Sequence, residues 1–189
     1  NDSKSEADFE EAGLELKTAP LKRLKNGKLT IKERVVLGII NFNSIVNETF
    51  EDSHFLNKNL HILLVFFIYN TLVDLEDIQI TLVDIWNCIE EDGEQIKNDW
   101  ETIVGKIKAG KAHEISEGDT LFLGASTKGS KTITSQVSQP FSPILAHRRA
   151  FGFKLQYVRY IYKTLLEKKA KSRPVQGDII RLTKGRKEG

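Results

Sequence analysis

Two apolar periods organise this chain. Near its start, Leu14 and Leu16 alternate with Glu15 and Lys17, the pattern of a strand with one buried face. Val35 to Phe42 (VVLGIINF) is rich in β-branched residues and predicts a central strand. The apolar run Asn59 to Tyr69 and the alternating run Ile78 to Cys88 predict two more. The period then changes. From Glu90 to Lys108, Ile96, Trp100, Ile103, Val104 and Ile107 recur at helical spacing, so Trp100 belongs to the core. Acidic Asp92 and Glu94 near its start and Lys106 and Lys108 near its end suit the helix dipole, and Gly110 can close it. A short strand at Leu121–Leu123 and a second helix from Leu155 to about Lys169 follow, whereas Phe50 to Lys58 reads as a polar connection. Strands interleaved with helices make this an α/β protein.

Composition narrows the picture only a little. A chain of 189 residues that is 40% hydrophobic is most simply one domain with a real core, here residues 1–170, followed by a basic linker or tail over 171–189. A net charge of +2 does not announce nucleic-acid binding, so any basic surface must be local. The single Cys88 excludes an internal disulfide or a Cys-rich zinc site and fits a reducing, cytoplasmic compartment. The run Leu60–Tyr69 is too short to span a membrane, and no signal peptide is visible. The chain contains no methionine, so Asn1 is not expected to be a native start.

The candidate chemistry lies on the first strand. Glu15 and Lys17 are two apart and share one face, with Cα atoms roughly 6.5–7 Å apart. Asp8 precedes Glu15 by a segment that Gly13 allows to turn back, so two carboxylates and an amine can converge at one strand end. Carboxylate oxygens suit Mg²⁺, and an ammonium beside them can orient water or offset charge developing on a phosphate. The spacing alone is weak evidence, since Glu167 and Lys169 repeat it, and by itself it favours a solvated strand face.

Context adds what spacing lacks. Asp8, six residues, then Glu15-Leu16-Lys17-Thr18 resembles the active-site motif of the MutH-like branch of the PD-(D/E)xK nucleases. Phe50-Glu51-Asp52-Ser53-His54, ending in Lys58, resembles the same family's aromatic-Glu-x-Ser-His segment with its assisting lysine. Thr127-Lys128-Gly129 and Gln139-Pro140-Phe141 look closer to Sau-type restriction enzymes, as do Lys32-Glu33-Arg34 and Lys111-Ala112-His113-Glu114. The resemblance runs from Asp8 to about Lys169. It implies a restriction-endonuclease-like fold, a mixed central β-sheet flanked by helices, and a type II enzyme cutting double-stranded DNA at GATC to leave a 5′ phosphate. It also implies roles: Asp8, Glu15 and the Leu16 carbonyl on Mg²⁺, Lys17 on the attacking water, and Lys58 on the phosphate. His54 carries over only as a member of the motif.

Basic clusters supply the expected DNA contacts. Lys22, Arg23 and Lys25 surround a turn signal at Asn26-Gly27; Thr127, Lys128 and Lys131 occupy a small-residue loop; Arg148, Arg149 and Lys154 are interleaved with aromatics. The tyrosine that senses adenine methylation in the family aligns with Gly152, which favours indifference to that mark. The family's upstream arm, with a further glutamate near the metals, is expected to be missing here; the expected partners are that arm or a second MutH-like domain, or a homodimer when both strands are cut. Three other readings remain: a mismatch-repair nickase, a DNA-binding module that does not cut, and an interaction domain whose carboxylates are simply exposed.

Overall fold

The computed structural model of the protein describes residues 7–70, 78–129 and 136–172. Strand β1 (Leu14–Arg23) is its axis: it pairs in parallel with β4 (His61–Ile68) and, at its far end, antiparallel with β2 (Leu29–Ile31). Strand β5 (Ile80–Asn87) lies antiparallel to β4, giving a mixed four-stranded sheet in the order β2-β1-β4-β5. A second, antiparallel sheet has the order β3-β9-β6, from β3 (Val35–Ile39), β9 (Arg149–Phe153) and β6 (Leu123–Thr127). A hairpin of β7 (Gln136–Gln139) and β8 (Ser142–His147) stands beside it. Helices α1 (Phe42–Ile45), α2 (His54–Asn59), α3 (Cys88–Lys108) and α4 (Leu155–Ser172) complete the fold.

The helical periods explain the core. Ile96, Trp100, Ile103, Val104 and Ile107 form the buried stripe of α3, and Tyr157, Val158, Ile161 and Leu165 that of α4. Between them and the sheets lie Leu21, Ile31, Ile62, Leu64, Phe66 and Trp86, all essentially inaccessible. Burial pushes the Cys88 thiol up to about 12, so it behaves as a small apolar residue. No helix among the described residues is long and apolar enough to cross a membrane.

Several expectations are corrected. The run Val35–Phe42 is neither wholly strand nor central: β3 stops at Ile39 and lies at a sheet edge, because the Asn41 side chain accepts from the Asn43 and Ser44 N–H groups and starts α1. The connection Phe50–Lys58 contains helix α2, capped by the Ser53 hydroxyl, which accepts from Leu56 N–H. The strand expected at Leu121–Leu123 begins only at Leu123, since the backbone N–H groups of Leu121, Phe122 and Leu123 are all taken by the Asp99 carboxylate. The hairpin β7–β8 was not foreseen; Gln139 ends β7 and Pro140-Phe141 forms the turn. Helix α4 runs on to Ser172, two residues into the expected tail.

Candidate active site

The alternation in β1 faces the opposite way from the one expected. Glu15, not Leu14 or Leu16, points into the protein and is 1% exposed, on the face that continues through Ala19 and Leu21 into the core. The two leucines are half-buried on the other face. Alternation identifies two faces but does not say which is covered.

Around Glu15 the expected residues come together. Lys17 Nζ lies 2.6 Å from Glu15 Oε1, and Lys58 Nζ 3.6 Å from the same oxygen. The Asp8 backbone N–H donates to Glu15 Oε2 at 3.2 Å, and the Leu16 N–H donates to Asp8 Oδ2 at 3.0 Å. A turn of 3₁₀ helix, Glu10–Ala12, and Gly13 at φ 60° fold the segment back so that Phe9 pairs with Leu14. Gly13 is needed there for its positive φ. Lys58 arrives by another route: α2 ends at Asn59 and β4 begins at His61, the register partner of Leu14, so pairing of β1 with β4 sets the lysine beside Glu15.

The donor set suits a hard cation. Asp8 and Glu15 offer carboxylate oxygens, and Mg²⁺ is commonly held by one or two carboxylates while keeping its waters. In an extended strand the N–H and C=O of one residue point the same way, so the Leu16 carbonyl lies on the side where its N–H meets Asp8. Among the described residues no group of three or more His, Cys, Asp or Glu could hold a metal, so a fully protein-ligated zinc site is not found there.

A cleft of about 800 Å³ reaches this cluster at Lys58, walled on one side by β3 and its continuation to Asn41 and on the other by His54, Phe55, Lys58 and Asn59 of α2. A smaller hollow of about 480 Å³ lies between Leu16–Thr18 and Glu33–Val36. The reading of the chain had not placed Asn41, Ser44 or Glu33 in the site, and had kept His54 only as part of a motif. The signal for His54 was its separation of four from Lys58, one helical turn, after a capping serine.

The expected DNA contacts divide. Thr127 and Arg148 are exposed, and the half-buried Lys128 joins them through its N–H, which donates to the Arg148 carbonyl at 2.7 Å. They gather where β3 ends, since Ile40 N–H donates to the Arg149 carbonyl and Ile40 lines the cleft. Arg149 itself is a correction. Its guanidinium donates to the carbonyls of Ala125 (2.8 Å) and Ile115 (2.5 Å), tying β9 to β6 and to the preceding turn. Burial lowers its affinity for the proton, which Asp119 and Glu117 partly restore. Lys154 is likewise engaged, with the carbonyls of Glu117 and Thr120. Lys22, Arg23 and Lys25 are exposed, but the Arg23 guanidinium donates to the Gly27 carbonyl at 2.9 Å and closes its own hairpin, six positions along β1 from Lys17. Lys131 lies outside the described residues.

Gly152 is packed backbone to backbone: a Cβ there would sit 2.8 Å from the Val35 carbonyl oxygen. In this packing a tyrosine has no room at that position.

Comparisons with known proteins bear on the family. A family model described as DNA mismatch repair enzyme MutH matches residues 1–99. The type II restriction enzyme Sau3AI of Staphylococcus aureus is 45% identical over 172 residues, covering 86% of this chain and 33% of that protein. The DNA mismatch repair protein MutH of Pectobacterium atrosepticum is 31% identical over 154 residues, covering 80% and 65%. MutH of Vibrio campbellii is 29% identical over 161 residues, covering 84% and 70%. This chain thus spans a third of the restriction enzyme's length and 65% of that of the first of these MutH proteins. Because the family match takes in more than half of the chain and every member of the Glu15 cluster, the chain belongs to the MutH family, with its restriction-endonuclease-like fold.

Proposed function

We propose that this chain is the catalytic core of a Mg²⁺-dependent, sequence-specific endonuclease that hydrolyses phosphodiester bonds of double-stranded DNA at GATC. The observation that carries the reading is a buried carboxylate, Glu15, gripped beside Asp8 by Lys17 and by Lys58, which lines an open cleft. Burying an ionised network is rarely the cheapest way to stabilise a fold, and it is a common way to build a reactive site.

Each residue then has a task. Asp8, Glu15 and the Leu16 carbonyl would hold Mg²⁺, which when bound supplies an acidified water and stabilises charge on the phosphate. Lys17, tethered to Glu15, positions the attacking water. Lys58, on the cleft wall, faces the phosphate and offsets the negative charge that builds on it. Thr127, Lys128 and Arg148, beside the end of β3, contact the DNA. Cutting both strands calls for two such centres, from a homodimer or from a second domain.

The mismatch-repair nickase is the second reading, favoured by the matches to MutH proteins. The close packing of Gly152 counts against a methylation sensor of that kind. Supercoiled plasmid bearing GATC sites, incubated with Mg²⁺ and either the chain or its Glu15→Ala variant, separates the possibilities. Linear fragments ending at GATC and lost in the variant support the restriction reading, whereas nicked circles support the nickase. Binding of GATC duplexes without any cleavage would refute catalysis and leave a DNA-binding module.

A further inference from the structure

We propose that the hairpin joining β1 to β2 is a second DNA-contacting surface, one that grips the phosphate backbone outside the GATC site and reads no sequence of its own. The inference takes its partner from the nuclease reading, but the surface is built from residues that the Glu15 centre does not use.

The first observation is where charge collects. From Leu16 to Lys32 the chain has no acid, and Lys22, Arg23, Lys25, Lys28 and Lys32 crowd the second half of that stretch. The whole chain nets only +2, so without these five cations the rest would net −3. A nearly neutral chain thus carries a strongly cationic hairpin.

The hairpin is also a defined frame. Leu24 N–H donates to the Lys28 carbonyl at 2.8 Å, and Gly27 N–H to the Leu24 carbonyl at 2.9 Å. The Asn26 side chain accepts from Lys28 N–H, Gly27 takes φ 80°, and the Arg23 guanidinium closes the turn on the Gly27 carbonyl. Lys32 is occupied over the Tyr69 ring, 3.8 Å from its centroid. That leaves Lys22, Lys25 and Lys28. All three are exposed, and none of their ammonium groups has a hydrogen bond or ion pair among the described residues.

Two other tasks fit less well. Lysines blunt exposed sheet edges, and Lys28 and Lys32 flank the edge strand β2. Yet Lys22 lies on β1 and Lys25 in the turn, while the opposite edge strand, β5, exposes Ile80, Val83 and Ile85 and has no cation at all. Nor can these charges tune the Glu15 centre. Arg23 is six positions along β1 from Lys17, roughly 20 Å in an extended strand and about twice the Debye length at ~0.1 M salt.

The same distance says what the hairpin meets. Duplex DNA advances ~3.4 Å per base pair, so phosphates facing the hairpin lie roughly five to six pairs from a bond held at Lys17. Measured from a bond in or bordering a four-pair site, that is flanking duplex. Phosphates are alike in every sequence, so this contact adds affinity and orientation rather than discrimination.

Fluorescence anisotropy with three labelled duplexes of about 24 base pairs tests this, with Ca²⁺ in place of Mg²⁺ and gels verifying intact DNA. The first has a central GATC and ordinary phosphates. The second has the same sequence with uncharged methylphosphonate linkages everywhere beyond the pairs bordering GATC. The third has a scrambled site. The parent should bind the first at least about tenfold more tightly than the second at ~0.1 M salt. The triple variant Lys22→Gln, Lys25→Gln, Lys28→Gln, checked for folding by circular dichroism, should lose most of that difference. It should also flatten the salt dependence by about two to three units of slope and keep the ratio of GATC to scrambled affinity within about twofold. Lys25→Gln alone should show the same pattern with about one unit of slope. Removing three lysines from the exposed end of α4 (Lys163, Lys169 and Lys171, each to Gln) should do none of this. The proposal is overturned if the hairpin variants keep the parent's preference for charged flanks, if the α4 variant loses it equally, or if the hairpin variants lose discrimination against the scrambled site. Plasmid cleavage that is lost in Glu15→Ala keeps the two readings apart. Cutting with an indifferent hairpin leaves the nuclease and removes this surface, whereas hairpin-dependent binding without any cutting does the reverse.

Discussion

Removing the carboxylate of Asp99 should unfasten the start of β6. Asp99 is 3% exposed, and its Oδ2 accepts from the N–H groups of Phe122 (2.6 Å) and Leu123 (2.8 Å). Its Oδ1 accepts from the Leu121 N–H (3.0 Å) and from Gln95 Nε2 (2.9 Å). In Asp99→Ala the Leu121 N–H, on an exposed residue, can turn to water. Those of Phe122 and Leu123 cannot do so readily, because Leu123 is fully buried. Two donors left without acceptors cost roughly 1–3 kcal/mol each, so the variant should lose about 2–6 kcal/mol. That is a large fraction of a typical domain's stability of ~5–15 kcal/mol. Urea unfolding followed by far-UV circular dichroism measures it, with Gln95→Ala as a comparison expected to lose about 1 kcal/mol or less. Because β6 leads to Thr127 and Lys128, affinity for a GATC duplex should also fall under conditions where the variant is still folded. A stability loss below about 1 kcal/mol would refute the reasoning, since it would mean the three N–H groups find other acceptors without Asp99.

Three other outcomes are expected. Arg148→Ala should weaken duplex binding and flatten its salt dependence by about one unit of slope while leaving urea stability within ~0.5 kcal/mol; Arg149→Ala should instead cost about 1–3 kcal/mol of stability through its lost carbonyl partners. Gly152→Ala should destabilise by about 1–3 kcal/mol on thermal or urea unfolding, because its Cβ would press on the Val35 carbonyl at 2.8 Å. Burial works against the charge on Asp119, yet Lys106 at 2.6 Å and the Ser116 N–H and hydroxyl together hold its carboxyl below the ordinary carboxylate range. A lowered folded-state value stabilises the protein above the unfolded value near ~4 and is lost as pH falls through the folded one. Asp119→Asn should therefore lessen the loss of stability below about pH 4, seen as a smaller drop in urea midpoint on acidification.

What the chain's letters disclose, and what they conceal, has physical reasons. The long helices were legible because their buried stripes repeat over several turns. Helix α2 was not, being six residues long with a single capping serine to mark it. Asp8, Glu15, Lys17 and Lys58 were named because a spacing with chemical meaning coincided with a family motif. The burial of Glu15 was hidden, because a strand's alternation is symmetric until something covers one face. Arg148 and Arg149 look equivalent in sequence and behave differently, since Arg148 lies exposed between β8 and β9 while Arg149 opens β9 and meets the carbonyls of Ala125 and Ile115. No local pattern marks Asp99 as the acceptor for a segment more than twenty positions away.

The pairing of β1 with β4 bears on when the Glu15 cluster comes into being. Glu15 and Lys58 meet only after strands far apart in the chain have found their register, Leu14 against His61. Such non-local contacts are slow, because the loop between them must close before any contact rewards it. A slip of one residue would move every β1 side chain to the opposite face and carry Glu15 away from the lysine. A half-folded or misregistered chain therefore has no assembled centre. On the nuclease reading proposed above, cutting is then an all-or-none property of the finished fold.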